Sequence, residues 1–254
     1  MDSKGYIAVF DSGVGGLSVL RHLRQLMPGE SYVYYGDCGN APYGSRTTEE
    51  VRTLTLAAAA QLFAAYPIKA LVVACNTATA AAIRDLRAAY PDRIIIGIEP
   101  ALKLAADTFP GGRIGVMATQ VTLREEKFDA LMHRFDAGCT VAKIPAPGLV
   151  ERIEAGHVDG AETEQLLQHL LRPYIGKLDA LVLGCTHYPF AAAAISRVLG
   201  PQVRLLDGGE GTAKETKRRL QAANLLNNDG EGQLLLTASG NLARFTAVAE
   251  KLLR

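Results

Sequence analysis

Short apolar runs alternate with longer amphipathic stretches along almost the whole chain. The apolar runs fall at 7–10, 32–35, 71–74, 94–98, 114–117, 140–144, 181–184 and 203–206. Their length and their Val, Ile, Leu and Tyr content predict buried strands. Helical patterns occupy 17–27, 48–65, 79–89, 122–134, 162–171 and 190–199 between them. Strands alternating with helices predict an α/β fold of mostly parallel sheets, flanked by helices and joined by right-handed crossovers. Pro28-Gly29, Pro67, Pro91, Pro110-Gly111-Gly112 and Gly200-Pro201 mark the stops. A further helix at 212–224 and a terminal segment at 234–253 follow the eighth strand, and part of this tail is expected to return to the first half.

Two pairs of segments match each other. Lys69-Ala-Leu-Val-Val-Ala-Cys-Asn-Thr pairs with Asp179-Ala-Leu-Val-Leu-Gly-Cys-Thr-His, which sets Cys75 and Cys185 110 positions apart. Ile7-Ala-Val-Phe-Asp-Ser-Gly pairs with Ile114-Gly-Val-Met-Ala-Thr-Gln at an offset of 107. Matched pairs in the same order predict an internal duplication and two similar α/β domains. The first domain is expected over 1–98 together with about 207–254, and the second over 99–206.

Composition narrows the function classes. The 254 residues are 48% hydrophobic and carry a formal net charge of +1, the balance of an ordinary globular protein. Neither a nucleic-acid nor a membrane-surface partner is indicated, and Lys214-Glu-Thr-Lys-Arg-Arg219 reads as the solvated face of a helix. No apolar stretch is long enough to span a membrane, and the first core strand begins too early to leave room for a signal peptide. Cys38, Cys75, Cys139 and Cys185 show neither a disulfide framework nor zinc-ligand spacing, so a reduced, cytoplasmic protein is expected.

Ligands of parallel sheets sit beyond the carboxyl ends of the strands. That rule gathers Asp11-Ser12-Gly13, Asp37, Pro42-Tyr43-Gly44 and Cys75-Asn76-Thr77 in the first half. In the second half it gathers Ala118-Thr119, Cys185-Thr186-His187 and Asp207. Facing domains would bring the two sets across a shared cleft. Asp11-Ser-Gly-Val-Gly-Gly16 offers a tight strand-to-helix turn whose N–H groups can hold an anion, and it is no dinucleotide fingerprint. A lone cysteine after a buried strand is usually a packing residue, and Cys38 and Cys139 read that way. Recurrence before a polar turn in both halves sets Cys75 and Cys185 apart. A thiol titrates close enough to neutrality to act as acid or base, with Asp11 beside Cys75 and His187 beside Cys185 as tuning groups. Three readings remain open on the residues alone. They are proton transfer at an sp³ carbon by two thiols, a cysteine hydrolase or transferase built on a Cys–His pair, and a two-lobed binding module without catalysis.

Asp11-Ser-Gly-Val-Gly-Gly-Leu-Ser-Val, Pro42-Tyr-Gly, Cys75-Asn-Thr-Ala, Gly97-Ile-Glu-Pro and Leu183-Gly-Cys-Thr-His-Tyr-Pro together resemble glutamate racemase, in that family's order and over most of the chain. The resemblance implies a cofactor-independent, metal-free isomerase that interconverts L- and D-glutamate and supplies the D form for peptidoglycan synthesis. It implies Cys75 and Cys185 as the two acid–base thiols, assisted by Asp11, His187 and Glu151, with Glu154 close by. Ser12, Pro42, Tyr43, Gly44, Asn76, Thr77, Thr119 and Thr186 match substrate-binding positions. Shifting Ser12 by the repeat offset lands on Thr119. A homodimer is implied, and some glutamate racemases also bind DNA gyrase as inhibitors, a secondary role that no residue here indicates. Aspartate racemase is the neighbouring alternative; its members tend to carry glutamate after the second Cys-Thr, where this chain has His187. Two departures stand out. The turn Asp207-Gly-Gly-Glu differs from the Ser or Pro of many relatives, which is expected to touch packing only. The amino-terminal extension that some relatives use for activation by a cell-wall precursor is not seen, so no such dependence is expected.

Overall fold

Parallel strands covered on both faces need mostly apolar residues, and the strands here are mostly apolar, with Asp11 and Lys69 as buried charged exceptions. The computed structural model describes residues 4–98, 101–124 and 138–253, which divide into two units. One unit comprises Met1–Glu99 with Gly209–Arg254, and the other Pro100–Gly208.

The first unit holds β1 (Tyr6–Asp11), β2 (Tyr32–Gly36), β3 (Ile68–Val73), β4 (Ile94–Gly97) and β9 (Leu234–Ala238). They form one sheet in the order β4-β3-β1-β2-β9, parallel at every pairing. One face carries α2 (Thr48–Ala65) and α3 (Asn76–Ala89), enclosing Phe10, Tyr43, Val51, Leu62, Leu71, Cys75 and Leu86. Helices α1 (Leu17–Leu26), α9 (Gly209–Ala222) and α10 (Leu242–Leu253) also belong to this unit, with α1 packed against both of the others. Local chemistry fixes the helix ends. Thr47 and Glu50 form a reciprocal capping box at the start of α2, which satisfies two N–H groups that the first turn leaves without partners. At the end of α1 the Tyr32 hydroxyl donates to the last-turn carbonyls, lying 3.0 Å from the oxygens of both Leu23 and Met27.

The second unit holds β5 (Arg113–Ala118), β6 (Thr140–Pro145), β7 (Ala180–Leu183) and β8 (Arg204–Leu206) in the order β6-β5-β7-β8, again all parallel. Read from the other edge, β8-β7-β5-β6 repeats β4-β3-β1-β2 strand for strand. The internal repeat of the sequence is thus a repeat of topology. Helices α6 (Leu149–Glu154), α7 (Ala161–Leu171) and α8 (Ala192–Leu199) enclose a core of Ile144, Leu149, Ile153, Leu167, Leu181, Tyr188 and Ile195. Helix α4 (Leu102–Thr108) supplies Leu102 and Ala105 to a second cluster with Ile114, Val116 and Val182.

Several elements differ from the sequence expectation. Helix α3 begins at Asn76 rather than Thr79, and a 3-10 turn over Tyr188–Ala191 precedes α8. Helices α4 and α6 were not predicted. The helix expected at 122–134 is seen as α5 (Gln120–Arg124); its later residues, like Glu99 and Pro100, lie outside the described residues. No helix of the described residues is long and apolar enough to cross a membrane.

The returning tail is fastened by a buried ion pair. Lys69 Nζ lies 2.5 Å from Glu30 Oε2, and both side chains are 1% exposed or less. The ammonium also donates to the Leu225 carbonyl at 2.9 Å, and Glu30 Oε1 accepts the Asn227 N–H at 2.9 Å. Strand β9 then adds to the sheet beside β2. Removing one member of such a pair leaves the other charge buried alone. Lys69→Met is therefore expected to destabilise the first unit by about 3–5 kcal/mol, read as a lowered urea midpoint. Lys69→Met with Glu30→Leu is expected to recover part of that loss, because no charge is then stranded.

Candidate active site

In the first unit the site is built on the carboxyl ends of β1 and β3. Asp11 ends β1 and is fully buried; its Oδ1 accepts the Gly13 N–H at 2.8 Å. The Tyr34 hydroxyl donates to the Gly13 carbonyl at 2.8 Å, which holds the turn from the neighbouring strand. Gly16 allows α1 to start this close to the sheet. A Cβ there would lie 2.7 Å from Asp11 Cβ, closer than real contacts, and a tight 3.0 Å from the Tyr34 hydroxyl oxygen.

Cys75 follows β3 and is the N-cap of α3, with its sulfur accepting the Ala78 N–H at 3.4 Å and lying 3.7 Å from Ser12 Oγ. A helix start favours negative charge, so this end of α3 suits a sulfur that gives up a proton. Asn76 and Thr77 form the first turn of α3, not a loop before it. Asn76 Oδ1 is buried and has no hydrogen-bond partner among the described residues, an acceptor suited to a ligand's donor. Tyr43 opens a 3-10 turn over Tyr43–Ser45 and donates its hydroxyl to Asp37 Oδ2 at 2.6 Å. Burial pushes the Tyr43 phenol far up, reinforced by that bond and the charges of Asp37, Cys75 and Asp11. Beside it, Pro42 is exposed and Gly44 half-buried.

In the second unit the corresponding strand β7 leads to Cys185. Its Sγ is 3.5 Å from His187 Nδ1, and His187 Nε2 is 2.6 Å from Glu154 Oε1. Cys185, Thr186 and His187 are all buried. Burial by itself lowers the His187 pKa, but the hydrogen bond and charge of Cys185 and then those of Glu154 outweigh it and hold the imidazolium well above its ordinary range. The result is a sulfur–imidazole–carboxylate relay. Thr119 follows the central strand β5 as Ser12 follows β1, and its Oγ1 lies 2.9 Å from Thr122 Oγ1 and accepts the Thr122 N–H at 3.3 Å.

Close contacts join Cys75 to Ser12 in the first unit and Cys185 to His187 and Glu154 in the second. The carboxylate on His187 is that of Glu154, one helical turn beyond Glu151 on α6. Glu151 is exposed, and its charge acts on the buried Tyr188, whose phenol is pushed up by burial first and then by Cys185 and Glu151. Once α6 forms, a spacing of three puts the two acids on neighbouring positions of one face, and only the fold selects between them. Cys139 packs with its Sγ 3.3 Å from the Phe109 carbonyl oxygen, and all four cysteines are free thiols. Among the described residues no group of three or more His, Cys, Asp or Glu is arranged to hold a metal ion.

The family described as Asp/Glu/Hydantoin racemase matches residues 15–216. A glutamate racemase of Clostridium perfringens (strain SM101 / Type A) is 49% identical over 220 residues, 86% of this chain and 84% of its own length. The crystal structure of glutamate racemase from Thermus thermophilus with β-chloro-D-alanine superposes with a TM-score of 0.86 at 38% identity, covering 99% of this chain and 94% of that one. Escherichia coli glutamate racemase, solved with L-glutamate and the activator UDP-MurNAc-Ala, gives a TM-score of 0.85 at 30% identity, covering 97% and 95%.

The relay makes a titration prediction. Glu154→Gln removes one of the groups that favour the imidazolium, so the His187 titration followed by ¹H–¹⁵N NMR is expected to move to lower pH, whereas Glu151→Gln leaves it in place. Because the folded value lies above the unfolded one of about 6.5, the His187 contribution to stability is complete below that pH. It is lost as pH rises through the folded value, and Glu154→Gln is expected to bring that loss to lower pH.

Proposed function

The chain belongs to the Asp/Glu/hydantoin racemase family, among its glutamate racemases, and we propose that it interconverts L- and D-glutamate by a two-base proton transfer between Cys75 and Cys185. The observation that carries this reading is the pair of cysteines at the ends of equivalent strands, each with its own acid–base company. Only a reaction that handles a proton on both faces of one carbon uses both thiols. A Cys–His hydrolase would use Cys185 and leave Cys75 unexplained.

In the forward step one thiolate takes the α-proton and the opposite thiol returns a proton to the other face; the roles exchange for the other enantiomer. His187, held by Glu154, hydrogen-bonds the Cys185 sulfur and stabilises charge there. Asp11 and Ser12 serve the first thiol, with Ser12 Oγ 3.7 Å from the sulfur. Abstraction beside an ionised carboxylate builds negative charge that water would not stabilise well enough, so preorganised donors must do it. Ser12, Thr77, Thr119, Thr186 and the backbone N–H groups of Tyr43 and Gly44 supply such donors in this reading, while Asn76 Oδ1 accepts a hydrogen bond from the substrate ammonium. The chemistry needs no electron-sink cofactor. The same reading has the D-glutamate feed peptidoglycan in the cytoplasm and the protein form a homodimer; these rest on the resemblance and on the relatives' activity.

The deciding experiment incubates the reduced protein with L-glutamate in D₂O without added cofactor, follows optical rotation and α-proton NMR, and runs L-aspartate in parallel. Loss of rotation with α-deuterium incorporation is expected for glutamate alone; turnover of aspartate would move the substrate to the neighbouring branch. Cys75→Ala and Cys185→Ala are each expected to lower racemisation by about 10²–10⁴-fold, the worth of one positioned acid–base group. A single-cysteine variant with full activity would sink the two-thiol mechanism.

A further inference from the structure

One buried carboxylate takes no part in the proton transfer, yet three side chains converge on it. Asp37 follows β2 and is 2% exposed. Its Oδ2 accepts the Tyr43 hydroxyl at 2.6 Å, its Oδ1 accepts the Ser239 hydroxyl at 2.6 Å, and Asn40 Nδ2 reaches both oxygens at 3.0 and 3.1 Å. Charge-assisted bonds this short are among the stronger ones available to side chains. Two of the three donors lie on the segment that runs to the Pro42–Gly44 turn. The third lies on the returning tail, some two hundred residues away in sequence.

Ser239 is itself pinned. Its N–H donates to the Gly36 carbonyl at 3.0 Å, continuing the β2–β9 ladder, and its Oγ accepts the Gly39 N–H at 2.8 Å while donating to Asp37. Gly39 permits this approach: a Cβ there would stand 3.1 Å from Ser239 Oγ and 3.4 Å from the Gly240 nitrogen. Arg46 Nε closes the far side of the loop on the Asn40 carbonyl at 2.7 Å. The loop is therefore tied at both ends and in the middle.

We propose that Asp37 is a positioning residue for the substrate-binding turn at Pro42–Gly44, and that Ser239 of the C-terminal segment is its fixed anchor. The role of this turn rests on the glutamate racemase reading above. Burial and the neighbouring carboxylates keep the Tyr43 phenol protonated, so its one proton stays committed to Asp37. Tyr43 then acts on the substrate through the place it gives the backbone of the turn. Releasing the anchor loosens the turn and weakens substrate binding while leaving the two thiols and their partners untouched.

The test uses the full-length protein and the variants Ser239→Ala, Asp37→Asn and Tyr43→Phe. Amide hydrogen exchange over residues 38–46, without substrate, reads the anchor; steady-state kinetics on L-glutamate reads its consequence. Faster exchange over 38–46 is expected in Ser239→Ala and Asp37→Asn, with KM raised about tenfold and kcat changed by less than about threefold, the split expected when binding rather than the chemical step is lost. Asp37→Asn combined with Tyr43→Phe is expected to raise KM far less than the product of the single effects, since both remove one bond. Unchanged exchange over 38–46 in both anchor variants would overturn the proposal. So would faster exchange with an unchanged KM, or a loss of kcat alone with a lowered Tm, the signature of a merely structural role. Should Asp37→Asn fail to fold, Ser239→Ala carries the test. Absence of glutamate turnover in the unaltered protein would sink the racemase reading, and the exchange measurement would still decide whether Asp37 and Ser239 hold the loop.

Discussion

The constraint on which the rest depends is that every strand pairing in both sheets is parallel. Parallel strands need a crossover after each strand, so helices must cover the faces and all carboxyl ends must share one edge of the sheet. The polar turns can then collect at that edge while the strands stay apolar. Asp11 and Cys75 come to the same edge because β1 and β3 are neighbours in the sheet, although 63 residues of chain lie between them. The same pairing of β5 with β7 brings Thr119 and Cys185 to one edge.

Duplication supplies positions, and divergence supplies chemistry. Ser12 and Thr119 follow the two central strands, and Cys75 and Cys185 follow their neighbours. Yet Asp11 has Ala118 as its counterpart at the repeat offset, so the second half lacks a carboxylate there. Its acid comes from Glu154, acting through His187. One sulfur sits at a helix start beside a hydroxyl, the other against an imidazolium. Two thiols in different electrostatic company suit a reaction in which one must hold its proton while the other gives it up.

The strands were legible because burial on both faces leaves an unbroken apolar run, and the repeat was legible because those runs match in order. Legibility failed where a feature depends on tertiary contact. The start of α3 was read too late because Asn76 and Thr77 are turn formers by local chemistry; Cys75 as cap makes them helical. Helix α6 is too short to show a period, so the resemblance pointed to Glu151, with Glu154 only close by, and nothing in the sequence marked Glu154 as the acid on His187. Nothing local marks Glu30, which follows Pro28-Gly29 like any surface turn residue, as the buried partner of Lys69. A charge is rarely buried so completely, and the pairing that permits it spans elements far apart in the chain.

That ion pair also explains why the two sheets differ in size. It fastens Leu225 and Asn227 just before β9, and β9 covers the β2 edge that the first sheet would otherwise leave unpaired. Among the described residues the second sheet has no such addition beside β6. The chain after each of these equivalent strands takes up a different task. After β6 it turns within three residues into α6, a rigid helix that carries Glu154 to His187. After β2 it makes a longer excursion to Tyr43 before α2 begins, and a loop of that length keeps its shape only if something outside it holds it. The extra strand brings Ser239 to Asp37, where that hold is made. The tail is thus part of how the first unit holds the loop after β2, while in the second a helix follows the equivalent strand.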